Sequence, residues 1–110
     1  MKLGIILVKS PFGSRKVETV LQTATLALEK GNSVDLFMIS DGVWLSKVPD
    51  EGIKELLRKI GEKGRIYVCG ASAQARGLKK EELIDFIVSE DSYGDIVDLV
   101  MEEWDKVVVC

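Results

Sequence analysis

Apolar runs and apolar stripes alternate along the chain. Residues 3–8 (LGIILV) form a continuous apolar run containing β-branched residues, which suits a strand buried on both faces. Ser10-Pro11-Phe12-Gly13 breaks the run, and Ser14 is placed to cap a helix. Val17, Val20, Leu21, Ala24 and Leu28 then recur at helical spacing, and Gly31 supplies the residue that ends such a helix. Residues 33–39 read as a second strand, with Asp35 as a charged exception. Asp41-Gly42 turns the chain into a loop over 43–49 that holds Trp44 and Leu45. Asp50 is a cap for a second helix with the stripe Ile53, Leu56, Leu57, Ile60, ended by Gly61 and Gly64. Residues 65–69 (RIYVC) predict a third strand. A turn and short helix follow, closed by Gly77, then a helical turn or two over 79–85 and a short fourth strand at 86–88. Asp91 or Ser92 caps a last helix with the stripe Tyr93, Ile96, Val97, Val100, Trp104, in which Trp104 is a core residue. Residues 106–110 (KVVVC) predict the fifth strand.

The predicted order is βαβαβαβαβ. Strands alternating with helices through short connections imply an α/β fold, a parallel sheet with helices on both faces. Composition agrees with one globular domain: 110 residues, 46% hydrophobic and 30% charged, with two prolines. The net charge of −3 argues against a general nucleic-acid ligand, which needs a basic face. The chain has no histidine, which removes the usual general base, zinc ligand and catalytic partner of serine or cysteine. The apolar run at 3–8 is too short for a signal segment or a membrane span, so a soluble, cytoplasmic protein with no membrane association is expected. Cys69 and Cys110 make neither a disulfide framework nor a CxxC motif.

In an open parallel sheet, ligands gather outside the carboxyl ends of the strands. Cys69 ends the third strand there, immediately before a helix start. The small residues Gly70, Ala71 and Ser72 let backbone N–H groups approach its sulfur, and such donors favour thiolate over thiol. Lys9, Arg15 or Arg76 would add charge if the fold brings one close. The bland alternative is a small core hydrophobe. Lys9, Ser10 and Gly13, after the first strand, form a candidate anion cradle, or else an ordinary strand-to-helix turn. The chain lacks GxxxxGK[ST] and GxGxxG, so neither a nucleotide nor another cofactor is expected. Asp41 and the Glu90-Asp91 pair read as turn and cap residues rather than as metal ligands or an acid–base pair. Trp44 covers the Cys69 pocket, meets a partner subunit, or packs locally on the second helix. Cys110 reads as a packing residue, with a resolving thiol as the alternative.

Several stretches together resemble the DsrE-like family, which includes the TusD-type subunits of the sulfur relay. They are Ser10-Pro11-Phe12-Gly13-Ser14, Asp41-Gly42-Val43, Val68-Cys69-Gly70-Ala71-Ser72-Ala73 with Arg76-Gly77, and Asp105-Lys106-Val107-Val108-Val109. The resemblance runs the length of the chain, so residues 1–110 would be one DsrE-like domain. It implies a three-layer α/β/α architecture with a five-stranded parallel sheet. It also implies a homo-oligomer, a trimer or hexamer, and a persulfide carried on Cys69 between donor and acceptor proteins, with no metal or organic cofactor. Trp44-Leu45-Ser46 departs from the family, whose relay subunits tend to be polar there. Three readings follow: a persulfide carrier with possible sulfurtransferase activity, a non-catalytic oligomeric binding module with Cys69 structural, and a redox protein pairing Cys69 with Cys110.

Overall fold

The computed structural model describes residues 1–13 and 15–110. Five parallel strands form one sheet: β1 (Lys2–Leu7), β2 (Ser33–Met38), β3 (Arg65–Cys69), β4 (Ile87–Ser89) and β5 (Lys106–Val109), in the spatial order β4-β3-β2-β1-β5. The helices are α1 (Lys16–Glu29), α2 (Glu51–Lys63), α3 (Gly70–Ala75) and α4 (Ser92–Asp98), the last continuing as a wider turn over Leu99–Glu103. Right-handed crossovers carry the chain from β1 to β4 in one direction, which puts α1 and α2 on one face. The return from β4 to β5 puts α4 on the other, completing three α/β/α layers. The expected fold class is therefore the observed one.

The first face holds the deepest core. Ile5 and Leu7 of β1, Leu36 and Met38 of β2, and Val68 of β3 are buried together with Val17, Leu21 and Ala24 of α1 and Leu57 and Ile60 of α2. The Asp50 side chain accepts a hydrogen bond from the Ile53 amide and starts α2 as the sequence indicates. Gly61 does not end that helix, which runs to Lys63 and stops at Gly64. The Ser14 cap lies outside the described residues.

The second face explains Asp35. Gly4, Asp35 and Arg65 sit side by side in register across β1, β2 and β3. Asp35 Oδ2 accepts from Trp104 Nε1 at 2.9 Å and from Arg65 Nη2 at 2.7 Å, while Oδ1 accepts from the Arg65 main-chain N and Nε. Every lone-pair direction of the carboxylate thus meets a donor. A Cβ on Gly4 would lie 1.9 Å from Trp104 Cδ2, so only glycine leaves room for the indole over β1. Phe37 and Tyr67, in the next row, stack with centroids 5.3 Å apart, and the Arg65 guanidinium lies over the Tyr67 ring.

Two expectations need correcting. Residues 43–49 are not a simple loop. Ser40–Lys47 winds as a 3-10 segment, which buries Val43 and Leu45 while its tight turns follow the strand end. The last helix also buries only part of the predicted stripe. Trp104 is buried and Ile96 and Val100 pack against the core, but Tyr93 is 80% exposed and Val97 57%, with Met101 beside them at 77%. One helix alone covers this face, so its far side has no layer to pack against, and Leu99 joins Ile96 and Val100 on the inward side.

Candidate functional site

The site is built where β3 hands the chain to α3. Cys69 is the last residue of β3 and the N-cap of α3, with extended backbone (φ −68°, ψ 116°). Its sulfur accepts from the Ser72 amide at 3.3 Å. The Ala71 amide and the hydroxyls of Ser72 and Ser92 are close enough to favour its charged form as well. Burial pushes the thiol pKa up, but these four donors outweigh that cost and bring it below the ordinary thiol value. Cys69 is 5% exposed, so the sulfur is shielded yet placed at the carboxyl edge of the sheet. A cleft bordered by Gly70, Ala71, Lys80, Val88 and Glu90 opens beside the start of α3.

Ser92 was legible only as an alternative helix cap. Asp91 takes that role, accepting from the Gly94 amide, and the Ser92 hydroxyl is left for the sulfur. An Asp-Ser pair before a helix with one cap position to fill was the available signal. Ser89, beside Cys69 in register, instead donates its hydroxyl to Asp95.

The other candidate residues are distributed differently. The Ser72 amide meets the sulfur, and Gly70 and Ala71 border the cleft beside it. Lys9 is exposed after β1. The Ser10 hydroxyl accepts from the Phe12 amide, a local turn, and Gly13 adopts a left-handed φ of 77°. Trp44 is half-buried against the core. Arg76 turns its guanidinium to Asp41 and to the Ser72 carbonyl. Donors to the sulfur are therefore amides and hydroxyls.

The intrachain Cys69–Cys110 pairing is overturned by the strand order. Cys110 follows β5, and its amide and carbonyl extend the ladder to Ile6, Val8 and Lys9 of the β1 side. Between β3 and β5 stand β2 and β1, three interstrand steps of about 4.8 Å, or about 14 Å. A disulfide needs Cα atoms closer than about 7 Å. Both cysteines are free. Among the described residues, no cluster of histidine, cysteine, aspartate and glutamate could hold a metal ion, and no helix is long and apolar enough to cross a membrane.

Comparison with known proteins places this fold. An uncharacterized protein of Methanocaldococcus jannaschii is 36% identical over 91 residues, covering 77% of this chain and 80% of the relative. One from Methanopyrus kandleri is 34% identical over 106 residues, covering 91% and 87%. The crystal structure of the YchN protein from E. coli superposes with a TM-score of 0.85 at 20% identity, covering 100% of this chain and 99% of YchN. A protein of unknown function from Methanobacterium thermoautotrophicum gives 0.74 at 18% identity, with both chains fully covered. At these identities the two structures attest the fold. The model of the DsrE/DsrF-like family matches residues 1–109, and the chain belongs to that sulfur-relay family.

Proposed function

We propose that the protein carries sulfane sulfur as a persulfide on Cys69 and passes it to a partner thiol. The observation that carries this reading is a shielded sulfur at the sheet's carboxyl edge that accepts from the Ser72 amide, in surroundings that favour its thiolate. Family membership supports it. In the loading step, the Cys69 thiolate attacks the terminal sulfur of a donor persulfide. The new Cys69 S–S bond forms as the donor's S–S bond breaks, and the donor leaves as a thiolate. Two electrons move with the bond exchange, and no external oxidant is consumed. The reverse geometry, with an acceptor thiolate attacking the outer sulfur, unloads the carrier. The chain supplies no general base, and a thiolate already favoured by its donors needs none. In this reading Gly70 and Ala71 leave space for the added sulfur, while Ser72 and Ser92 hold the anion. The sulfurtransferase role belongs to this proposal.

The test is intact mass after brief exposure to a small sulfane-sulfur donor. The expected result is a gain of one sulfur per chain, removed by reductant and mapped to Cys69. No gain overturns the proposal. The 5% exposure of Cys69 favours a second reading, a binding module in which the thiol is only packed. Native-state thiol labelling separates the two, since a packed thiol reacts only after unfolding.

Homo-oligomerisation is part of the same proposal, with Tyr93, Val97 and Met101 as its surface. They fall four residues apart along one side of α4 and its continuation. Residues 81–105 carry acidic side chains and no lysine or arginine, so two such faces repel each other. A head-to-tail contact with a different surface of the next copy is favoured, and such contacts close into rings. Sedimentation of the parent should give a trimer or hexamer, and Val97→Glu should give monomer. A monomeric parent overturns this assignment.

A further inference from the structure

We propose that Ser40 and Arg76 are positioning residues for Cys69, acting through Ser72. This rests on the persulfide-carrier reading of the site. The Ser40 amide donates to Ser72 Oγ at 3.0 Å. A serine hydroxyl has one hydrogen, so an oxygen that accepts from Ser40 is free to direct that hydrogen at the sulfur. Ser40 is the one described residue other than glycine with a positive φ, 54°. Serine is strained in that conformation, and strain of this kind persists only where the surroundings enforce it.

The surroundings do so from two sides. Gly42 lets the 3-10 segment press onto the end of β1, since a Cβ there would lie 2.0 Å from the Leu7 carbonyl oxygen. Arg76 ties the same segment to α3. Its Nε and Nη2 donate to Asp41 Oδ1 at 3.1 and 3.0 Å, and its Nη1 donates to the Ser72 carbonyl at 3.0 Å. The guanidinium thus fastens the residue beside Ser40 to the residue that touches the sulfur. Loosening the clamp frees the Ser40 amide to leave Ser72, and the Ser72 hydroxyl to rotate away from Cys69.

The test is the pH profile of alkylation by iodoacetamide in a Cys110→Ser background, with thermal unfolding measured in parallel. Ser72→Ala should move the midpoint up by about one pH unit, a tenfold loss of rate below it, and Ser72→Thr should restore the parent profile. Asp41→Asn decides between positioning and charge. It removes a negative charge while keeping Arg76, so simple electrostatics moves the midpoint down or leaves it. Positioning moves it up, and Arg76→Met should move it the same way. An unchanged or lowered midpoint in Asp41→Asn, at parent-like stability, overturns the proposal whatever Arg76→Met does, since loss of the Arg76 charge alone raises the midpoint. So does a parent-like profile in Ser72→Ala. Should Arg76→Met fail to fold, Asp41→Asn and the Ser72 pair still decide, and should Asp41→Asn fail, Asp41→Ser takes its place. The profile requires no sulfur transfer, so its outcome is independent of whether Cys69 carries a persulfide.

Discussion

Asp35→Ala is expected to destabilise the protein by about 3 kcal/mol. Truncation leaves the Trp104 Nε1–H buried with no acceptor and removes the four-donor anchor between β2, β3 and the segment after α4. A fully buried ion pair would cost more when broken. The Arg65 side chain is about a third exposed and keeps Glu103 as a second partner, so part of the loss is recovered in water. Hydrogen bonds to Asp35 first, and to Glu103 second, hold that guanidinium more firmly protonated than usual. Asp35→Asn should not rescue. An amide presents one oxygen and one NH2 group to donors on both sides, so either orientation sets N–H against N–H. Trp104→Phe, which removes one donor and keeps a ring over Gly4, should cost only about 1 kcal/mol. Urea unfolding of the three variants checks the ordering. Asp35→Ala within 1 kcal/mol of the parent would show that the carboxylate is no anchor.

That anchor shows where sequence reading stops. Asp35 stands out at once as a charge in an apolar strand, but its partners are 30 and 69 residues away and are set by sheet order and register. Alternation and short connections gave the parallel sheet, because period and spacing are local properties. They did not give the placement of β5 beside β1, and with it the distance that separates Cys110 from Cys69. The 3-10 winding of Ser40–Lys47 was equally hidden, since Asp41-Gly42 signals a turn without saying how the chain continues. Cys69 was legible because strand, cysteine and small residues follow one another directly. Arg76 was legible as a charge near Cys69, but its clamp on Asp41 and the part played by Ser40 were not, because a guanidinium clamp and a positive φ are consequences of packing. Tyr93 and Val97 misled for the opposite reason. Their helical spacing is real, but periodicity does not say which side of the helix the protein itself covers.

Cys69→Ser is expected to reduce sulfur uptake at least about a hundredfold, to the background of the assay. The substitution is nearly isosteric, so α3 should keep its start and the Ser72 amide should keep an acceptor. What is lost is the nucleophile. A serine hydroxyl needs a neighbouring base to attack, and the chain contains no histidine to provide one. The four donors that favour a thiolate do nothing for a neutral alcohol except hold it in place. Cys110→Ser should take up sulfur as the parent does, because Cys110 stands about 14 Å away across β1 and β2. Intact mass with and without reductant reads both variants in one experiment. Uptake retained in Cys69→Ser and lost in Cys110→Ser would move the carrier to the chain's other thiol. Uptake retained in both would mean that either thiol can take the sulfur, and the surroundings of Cys69 would then confer no special reactivity. Loss in Cys69→Ser alone, at parent-like stability, ties Cys69 to the chemistry.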